Sequence, residues 1–292
     1  MNDKKQRREQ RKQKQKKLKG RKVFTTASLP KMPSPLVMEQ TMQSMFGGRR
    51  DTTSKAQDLA YAAMEADAPV RALQLAKRAL ELNPRCVDAL LLVARAGSRK
   101  TEDLIENVRA AVRAGEEDLG KEFFDDNRGY FWGILETRPY MRARAFLAEL
   151  LAKNGRVAEA AEHLKAMLQL NPGDNQGLRY VLLGQYLTLD RIDGAKQLFE
   201  QFEDDGSAMF AWGRVLERFL AGDDAVARAA LKEARETNRF AEDYLSGRKR
   251  LPRQLPGYYG IGDENEGIVC AVELGDAWAK HPAAVEWLKA AR

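Results

Sequence analysis

The chain has 292 residues, enough for one large domain or two ordinary ones with a sizeable core. Its 49 Lys and Arg against 42 Asp and Glu give a net charge of +7, but residues 1–22 alone hold 12 basic and 2 acidic residues, a net +10. Residues 23–292 therefore carry only −3, which argues against a basic nucleic-acid-binding body and restricts such a role to the tail.

The basic tail has almost no apolar side chain, so no burial would offset the entropy lost on ordering it. We predict that it is disordered in isolation. Two interpretations stay open: a solubilising tail, or a polyanion-binding tail that associates nonspecifically with RNA, the ribosome or another polyanion. Its basic residues are Lys4, Lys5, Arg7, Arg8, Arg11, Lys12, Lys14, Lys16, Lys17, Lys19, Arg21 and Lys22.

The next segment, up to residue 50, predicts one short helix. Ser34 and Pro35 are typical of an N-cap and a first helical position, and Gly47-Gly48 is typical of a helix end. Leu36, Met38, Met42, Met45 and Phe46 recur near helical spacing between them. This methionine-rich stripe would either dock on another protein or pack on the body as a terminal cap.

From residue 51 to about 240, apolar residues spaced three and four apart predict consecutive helices. The segments ALQLAKRALELNP (72–84) and AAEHLKAMLQLNP (160–172) align without a gap, which indicates a repeated helical hairpin. Both segments resemble the tetratricopeptide repeat family. The resemblance implies an all-α fold: a right-handed α-solenoid of four to five hairpins, with the first helices lining a concave surface.

An aromatic-rich insertion at about 115–140 interrupts the repeats. One interpretation places Arg138, Tyr140 and Arg142 at the mouth of a binding groove. The alternative is that the aromatic residues cap an interrupted solenoid while the arginines pair with local acids.

Residues 241–292 predict an extended Pro/Gly segment followed by a C-terminal capping helix, with Asp263 as N-cap and Glu266 at N3. Over about residues 120–292 the chain resembles an uncharacterised group of tetratricopeptide proteins. The helix after GDENE is distantly similar to the suppressor-of-tumorigenicity-seven family, which brings no established activity.

The family resemblance assigns the concave positions of one first helix to Arg142, Ala145, Glu149, Ala152 and Lys153. In the next two units it assigns a concave position to Tyr180 and to Trp212. These residues, with Arg138 and Tyr140, form the predicted peptide groove. Family members that clamp a terminal carboxylate have Lys and Asn where this chain has Ala145 and Glu149, so that activity is not predicted.

Sequence features for catalysis are sparse. The two histidines, His163 and His281, lie in no metal-binding or catalytic motif, and no phosphate-binding loop or nucleophile elbow occurs. Cys86 and Cys270 are too far apart in sequence for a CxxC site and indicate free thiols in a reducing compartment. We therefore predict a cytoplasmic, non-catalytic interaction scaffold without cofactor, metal or membrane insertion, and polyanion association through the tail is the alternative.

Overall fold

The computed structural model describes residues 35–46 and 51–291, and within these ranges it contains fifteen α-helices and no β-strand. The basic tail, Ser34 and Gly47-Gly48 lie outside the described residues. The first helix, α1 (Pro35–Phe46), belongs to a different unit from the other helices and begins with proline at its first position, as predicted. Met38, Met42 and Met45 are exposed along it.

The other fourteen helices belong to one compact unit. In chain order they are α2 (Thr52–Met64), α3 (Pro69–Leu82), α4 (Val87–Gly97), α5 (Thr101–Leu119), α6 (Lys121–Asp126), α7 (Arg138–Lys153), α8 (Val157–Leu170), α9 (Leu178–Thr188), α10 (Ile192–Gln201), α11 (Ala208–Leu220), α12 (Asp224–Thr237), α13 (Ala241–Leu245), α14 (Glu264–Lys280) and α15 (Pro282–Ala290). Two short 3₁₀ turns, Phe131–Gly133 and Leu135–Thr137, precede α7.

Helices α2 to α12, apart from the short α6, form consecutive pairs: α2 with α3, α4 with α5, α7 with α8, α9 with α10, and α11 with α12. The second helix of each of the first four pairs packs on the first helix of the next pair. Small residues at the contacts allow this close packing, since Ala76, Ala160 and Ala227 are fully buried. This arrangement is consistent with a helical repeat solenoid.

The turns inside these pairs follow from local sequence. Gly155 has a φ of 77° between α7 and α8, and Asp190 has a φ of 57° between α9 and α10. Both lie in the left-handed region that ends a helix, where glycine costs least and aspartate is tolerated. Side-chain caps from Asp51, Ser207 and Asp223 start α2, α11 and α12.

The aromatic-rich insertion packs mainly into the core. Phe131 is fully buried and contacts the rings of Phe123, Phe124 and Tyr140. Of the large aromatic side chains here, Tyr130 is the most exposed, at 75% of its surface. The contacts favour the interpretation in which these aromatic residues cap an interrupted solenoid.

Helix α14, the last but one, does more than cap the end of the fold, because it packs along the first helices α9 and α11 as well as on α13. Asp263 is its N-cap and accepts a hydrogen bond from the backbone N–H of Glu266, as predicted. The Glu266 carboxylate is fully buried and accepts from the backbone N–H of Ala208, at 3.0 Å, and of Gly262, at 2.6 Å. It also accepts from the Asn238 amide, at 3.0 Å, and so joins α14 to both helices of the last pair.

Candidate peptide groove

A cavity of about 670 Å³, which we call the inner groove, lies among the first helices α7 and α9 and the penultimate helix α14. Other neighbouring first helices, such as α9 and α11, pack against each other, whereas the groove lies between α7 and α9. Its lining is contributed by Arg142, Ala145, Phe146, Ala148, Glu149, Ala152 and Lys153 of α7, by Val157 and Leu164 of α8, by Leu178, Val181, Gly184, Gln185 and Thr188 of α9, and by Val272, Glu273 and Asp276 of α14, with Gln176 before α9.

The groove contains all five α7 positions that the family resemblance assigned to the concave surface: Arg142, Ala145, Glu149, Ala152 and Lys153. They lie on one side of α7 because residues three and four apart share a helix face. The opposite side of α7 carries fully or almost fully buried residues that pack on α5 and α8.

Arg142 is also a structural link. Its Nη2 and Nε atoms donate to the fully buried carboxylate of Asp88, at 2.5 and 3.1 Å. Gln57 donates to the same carboxylate at 2.7 Å, so the group joins α2, α4 and α7. Arg142 therefore lines the groove with its charge already paired.

The structure places two other predicted groove residues in the insertion. Tyr140 is buried, and its hydroxyl is hydrogen-bonded to Glu116 and Arg144. Burial raises the pKa of Tyr140 to about 12. Arg138 donates to the backbone oxygen of Trp132 and lies over its indole ring. Neither residue lines the inner groove.

Trp212 does not fit the predicted groove position, because it is fully buried and a peptide in the groove would not touch it. Its Nε1 donates to the backbone oxygen of Asn238, 2.9 Å away, at the end of α12. The packing of α12 on α11 accounts for this burial. The Trp212 side chain belongs to the core.

Tyr180 is half-buried and is held beside the groove rather than in its lining. Its hydroxyl donates to Asp205 at 3.1 Å and accepts from Arg179 at 2.5 Å. Burial and the nearby Asp205 charge raise its pKa to about 12. This cluster orders the loop before α11.

The α14 wall of the groove was not predicted. Glu273 and Asp276 lie on a helix that the sequence indicated only as a cap, far from α9 along the chain. One signal was present: Gly184 interrupts the apolar run of α9, and a conspicuous glycine in a helix indicates close approach of another backbone. A Cβ at this position would overlap the backbone oxygen of Glu273.

Few side chains among the described residues have the environment of a catalytic group. Burial raises the pKa of the Cys86 thiol to about 11 and that of the fully buried Cys270 thiol well above its ordinary value. Both thiols are therefore protonated at neutral pH and poor nucleophiles. Burial, with the nearby Arg144 charge, lowers the pKa of His163. Among residues 35–46 and 51–291, no group of histidine, cysteine and acidic side chains is arranged to hold a metal ion.

Comparison with known proteins identifies the class of repeat. Residues 151–205 match the tetratricopeptide repeat family model, and they span the end of α7 through α10. Repeats of this family are usually non-catalytic and act in protein–protein interaction. No curated protein matches the chain, so the similarity to the suppressor-of-tumorigenicity-seven family has no support. None of the described helices is long and apolar enough to cross a membrane.

Proposed function

We propose that the protein is a non-catalytic scaffold whose inner groove binds a peptide segment of a partner protein. The single observation that carries this proposal is the inner groove itself, an open cavity of about 670 Å³ on the side of α7 that the repeat pattern assigns to ligands. Its lining combines apolar surface from Phe146, Val181 and Val272 with charged side chains of α7 and α14. Such a surface suits an extended or helical peptide.

The groove belongs, in this proposal, to a right-handed solenoid of four to five tetratricopeptide-like units over residues 51–240. Residues 241–292 complete it as a separate C-terminal segment, and residues 1–50 precede it as a tail with a short helix. The match over 151–205 and the five helical pairs support this arrangement. A scaffold of this kind would act in the cytoplasm.

Filling the groove should abolish partner binding. In the full chain, Ala152→Trp places an indole inside the groove from a half-buried position on α7. The indole should displace peptide contacts and reduce recovery of groove-dependent partners at least about tenfold. A tenfold loss corresponds to about 1.4 kcal/mol of binding free energy, which the loss of one well-packed anchor contact typically exceeds. Affinity purification with quantitative mass spectrometry measures this recovery.

The matched control is Ala110→Trp, which adds the same side chain at an exposed position of α5 outside the groove. Partner recovery with this variant should equal that of the wild type, and both variants should keep the wild-type circular dichroism spectrum. Equal recovery with Ala152→Trp and wild type would contradict the groove proposal.

A second candidate activity is favoured by the charge distribution. We propose that residues 1–22, with a net charge of +10, bind RNA or another polyanion nonspecifically. The tail lies outside the described residues, and the proposal depends on its sequence alone.

Tail-dependent binding should be strongly sensitive to salt. If the tail makes about 6–10 phosphate contacts, affinity for a single-stranded RNA should fall by about 10³–10⁵ between about 50 and 200 mM salt, because binding releases counterions. Fluorescence anisotropy measures this slope. Deletion of residues 1–22 should eliminate RNA binding, whereas RNA retained by the shortened chain would contradict the role of the tail.

A further inference from the structure

The inner groove is electrostatically unbalanced. Its two basic side chains are already paired: Arg142 with the buried Asp88, and Lys153 with Glu149 one turn earlier on α7. A third cation, Arg95, lies over the Phe146 ring, 5.2 Å from its centroid, and does not line the groove. The lining therefore presents little unpaired positive charge to a ligand.

Several acceptors in the same lining have no partner among the described residues. Gln185 is 93% buried and its Oε1 has no hydrogen-bond donor, nor does the buried Oε1 of Gln176. Glu273, on α14, has no ion pair and accepts no hydrogen bond through its carboxylate within residues 35–46 and 51–291. Asp276, one turn further along α14, likewise has no ion pair or hydrogen bond through its carboxylate within the same residues.

Burial raises the pKa of the Glu273 carboxyl group, consistent with a desolvated charge that lacks a counterion. The folded protein has thus already borne part of the desolvation cost of placing this carboxylate in the groove. A cationic donor arriving at this point would gain Coulomb energy and hydrogen bonds without that part of the cost. An anionic ligand would meet two carboxylates with no available counter-charge.

We propose that the inner groove recognises a lysine or arginine side chain of the partner's peptide, held by Glu273 and Gln185 with Asp276 at the rim. The inference rests on the proposed function and adds its specificity. Phe146, Val181 and Val272 line the same groove, so the residues that flank the cation in the peptide are apolar. Carboxylate and amide oxygens together satisfy the multiple N–H donors of lysine and arginine.

Peptide selection tests this specificity. A phage-displayed library of random peptides is selected on the immobilised full chain, and the best sequence is synthesised for fluorescence anisotropy. Selected peptides should be enriched in one lysine or arginine flanked by apolar residues. Glu273→Gln should weaken binding of the synthetic peptide about 10- to 100-fold, because the cation loses its partner in a desolvated site.

The control is Glu286→Gln, the same chemical change at an exposed position of α15 outside the groove, which should leave affinity unchanged. Replacing the lysine or arginine of the peptide with glutamine should cause a similar loss with wild type and little further loss with Glu273→Gln. Glu273→Gln should melt at or above the wild-type temperature at neutral pH, since a raised pKa in the folded state means that ionisation of Glu273 costs stability as pH rises.

The outcomes separate this inference from the proposed function. Peptides that Ala152→Trp excludes but that carry no cation, or that bind Glu273→Gln as tightly as wild type, would overturn the specificity and leave the groove proposal standing. If no peptide is selected, or if the selected peptides bind Ala152→Trp normally, the groove proposal fails and the specificity fails with it.

Discussion

Glu266→Ala should destabilise the protein by about 3–5 kcal/mol, the largest effect that we expect from a single substitution. The fully buried carboxylate accepts hydrogen bonds from the backbone N–H groups of Ala208 and Gly262 and from the Asn238 amide. Two of these donors, the Ala208 N–H and the Asn238 amide, are buried. Alanine would leave them without this acceptor, and each unsatisfied buried donor costs about 1–3 kcal/mol. Urea unfolding followed by circular dichroism measures the change in the free energy of unfolding.

Glu264→Ala is the matched control, because Glu264 lies on the first turn of the same helix but its side chain is 44% exposed and is paired with Lys249 and Tyr244. Exposed ion pairs contribute about 0–1 kcal/mol, so this variant should unfold close to wild type. If Glu266→Ala and Glu264→Ala unfolded at the same urea concentration, Glu266 would not anchor α14.

Gly184→Ala should weaken the packing of α14 on α9 and lower the stability of this contact by a net value of about 2 kcal/mol. The added methyl would overlap the backbone oxygen of Glu273, which cannot move aside as a side-chain end would. Overpacking of this kind costs up to about 3 kcal/mol, and the better helix propensity of alanine returns about 1 kcal/mol. Hydrogen–deuterium exchange of the α14 amides should then accelerate on the order of 30-fold.

Gly275→Ala provides the opposite expectation on α14 itself. Its added Cβ would meet no atom within 4 Å, so alanine should stabilise the helix by about 0.5–1 kcal/mol. Amide protection of α14 should rise in this variant. Unchanged protection of α14 in Gly184→Ala would mean that the α9–α14 contact is not as close as we describe.

These two substitutions also bear on the groove, because α14 forms its third wall. Release of α14 would carry Val272, Glu273 and Asp276 away from Gln185 and leave a wider, flatter surface on α7 and α9. We expect Gly184→Ala to weaken groove-dependent peptide binding as well as amide protection. Glu273→Gln would weaken binding alone, since its backbone contact with α9 is unchanged.

The groove residues show which positions can be predicted by aligning the chain to the repeat pattern. The α7 positions Arg142, Glu149 and Lys153 were placed by the family pattern, and all three line the cavity. The same phasing assigned Trp212 to the groove, although its indole is buried against the end of α12. The two helices differ in their neighbours: the assigned positions of α7 border the open groove, whereas the assigned residue of α11 is covered by α12.

The sequence by itself determined the helical class, the paired helices, the tetratricopeptide repeat, the capping of α14 by Asp263 and the separation of charge between tail and body. Each of these depends on residues close together in the chain, where periodicity and capping operate. Only the tertiary structure decided that α14 lies along α9 and α11, that Glu273 and Gln185 line the same groove and that Trp212 is buried. The placement of α14 and the composition of the groove depend on contacts between helices far apart in sequence, for which backbone approach at Gly184 and the buried Glu266 network provide the physical basis. The burial of Trp212 depends on how the side chains of α11 and α12 pack together in three dimensions.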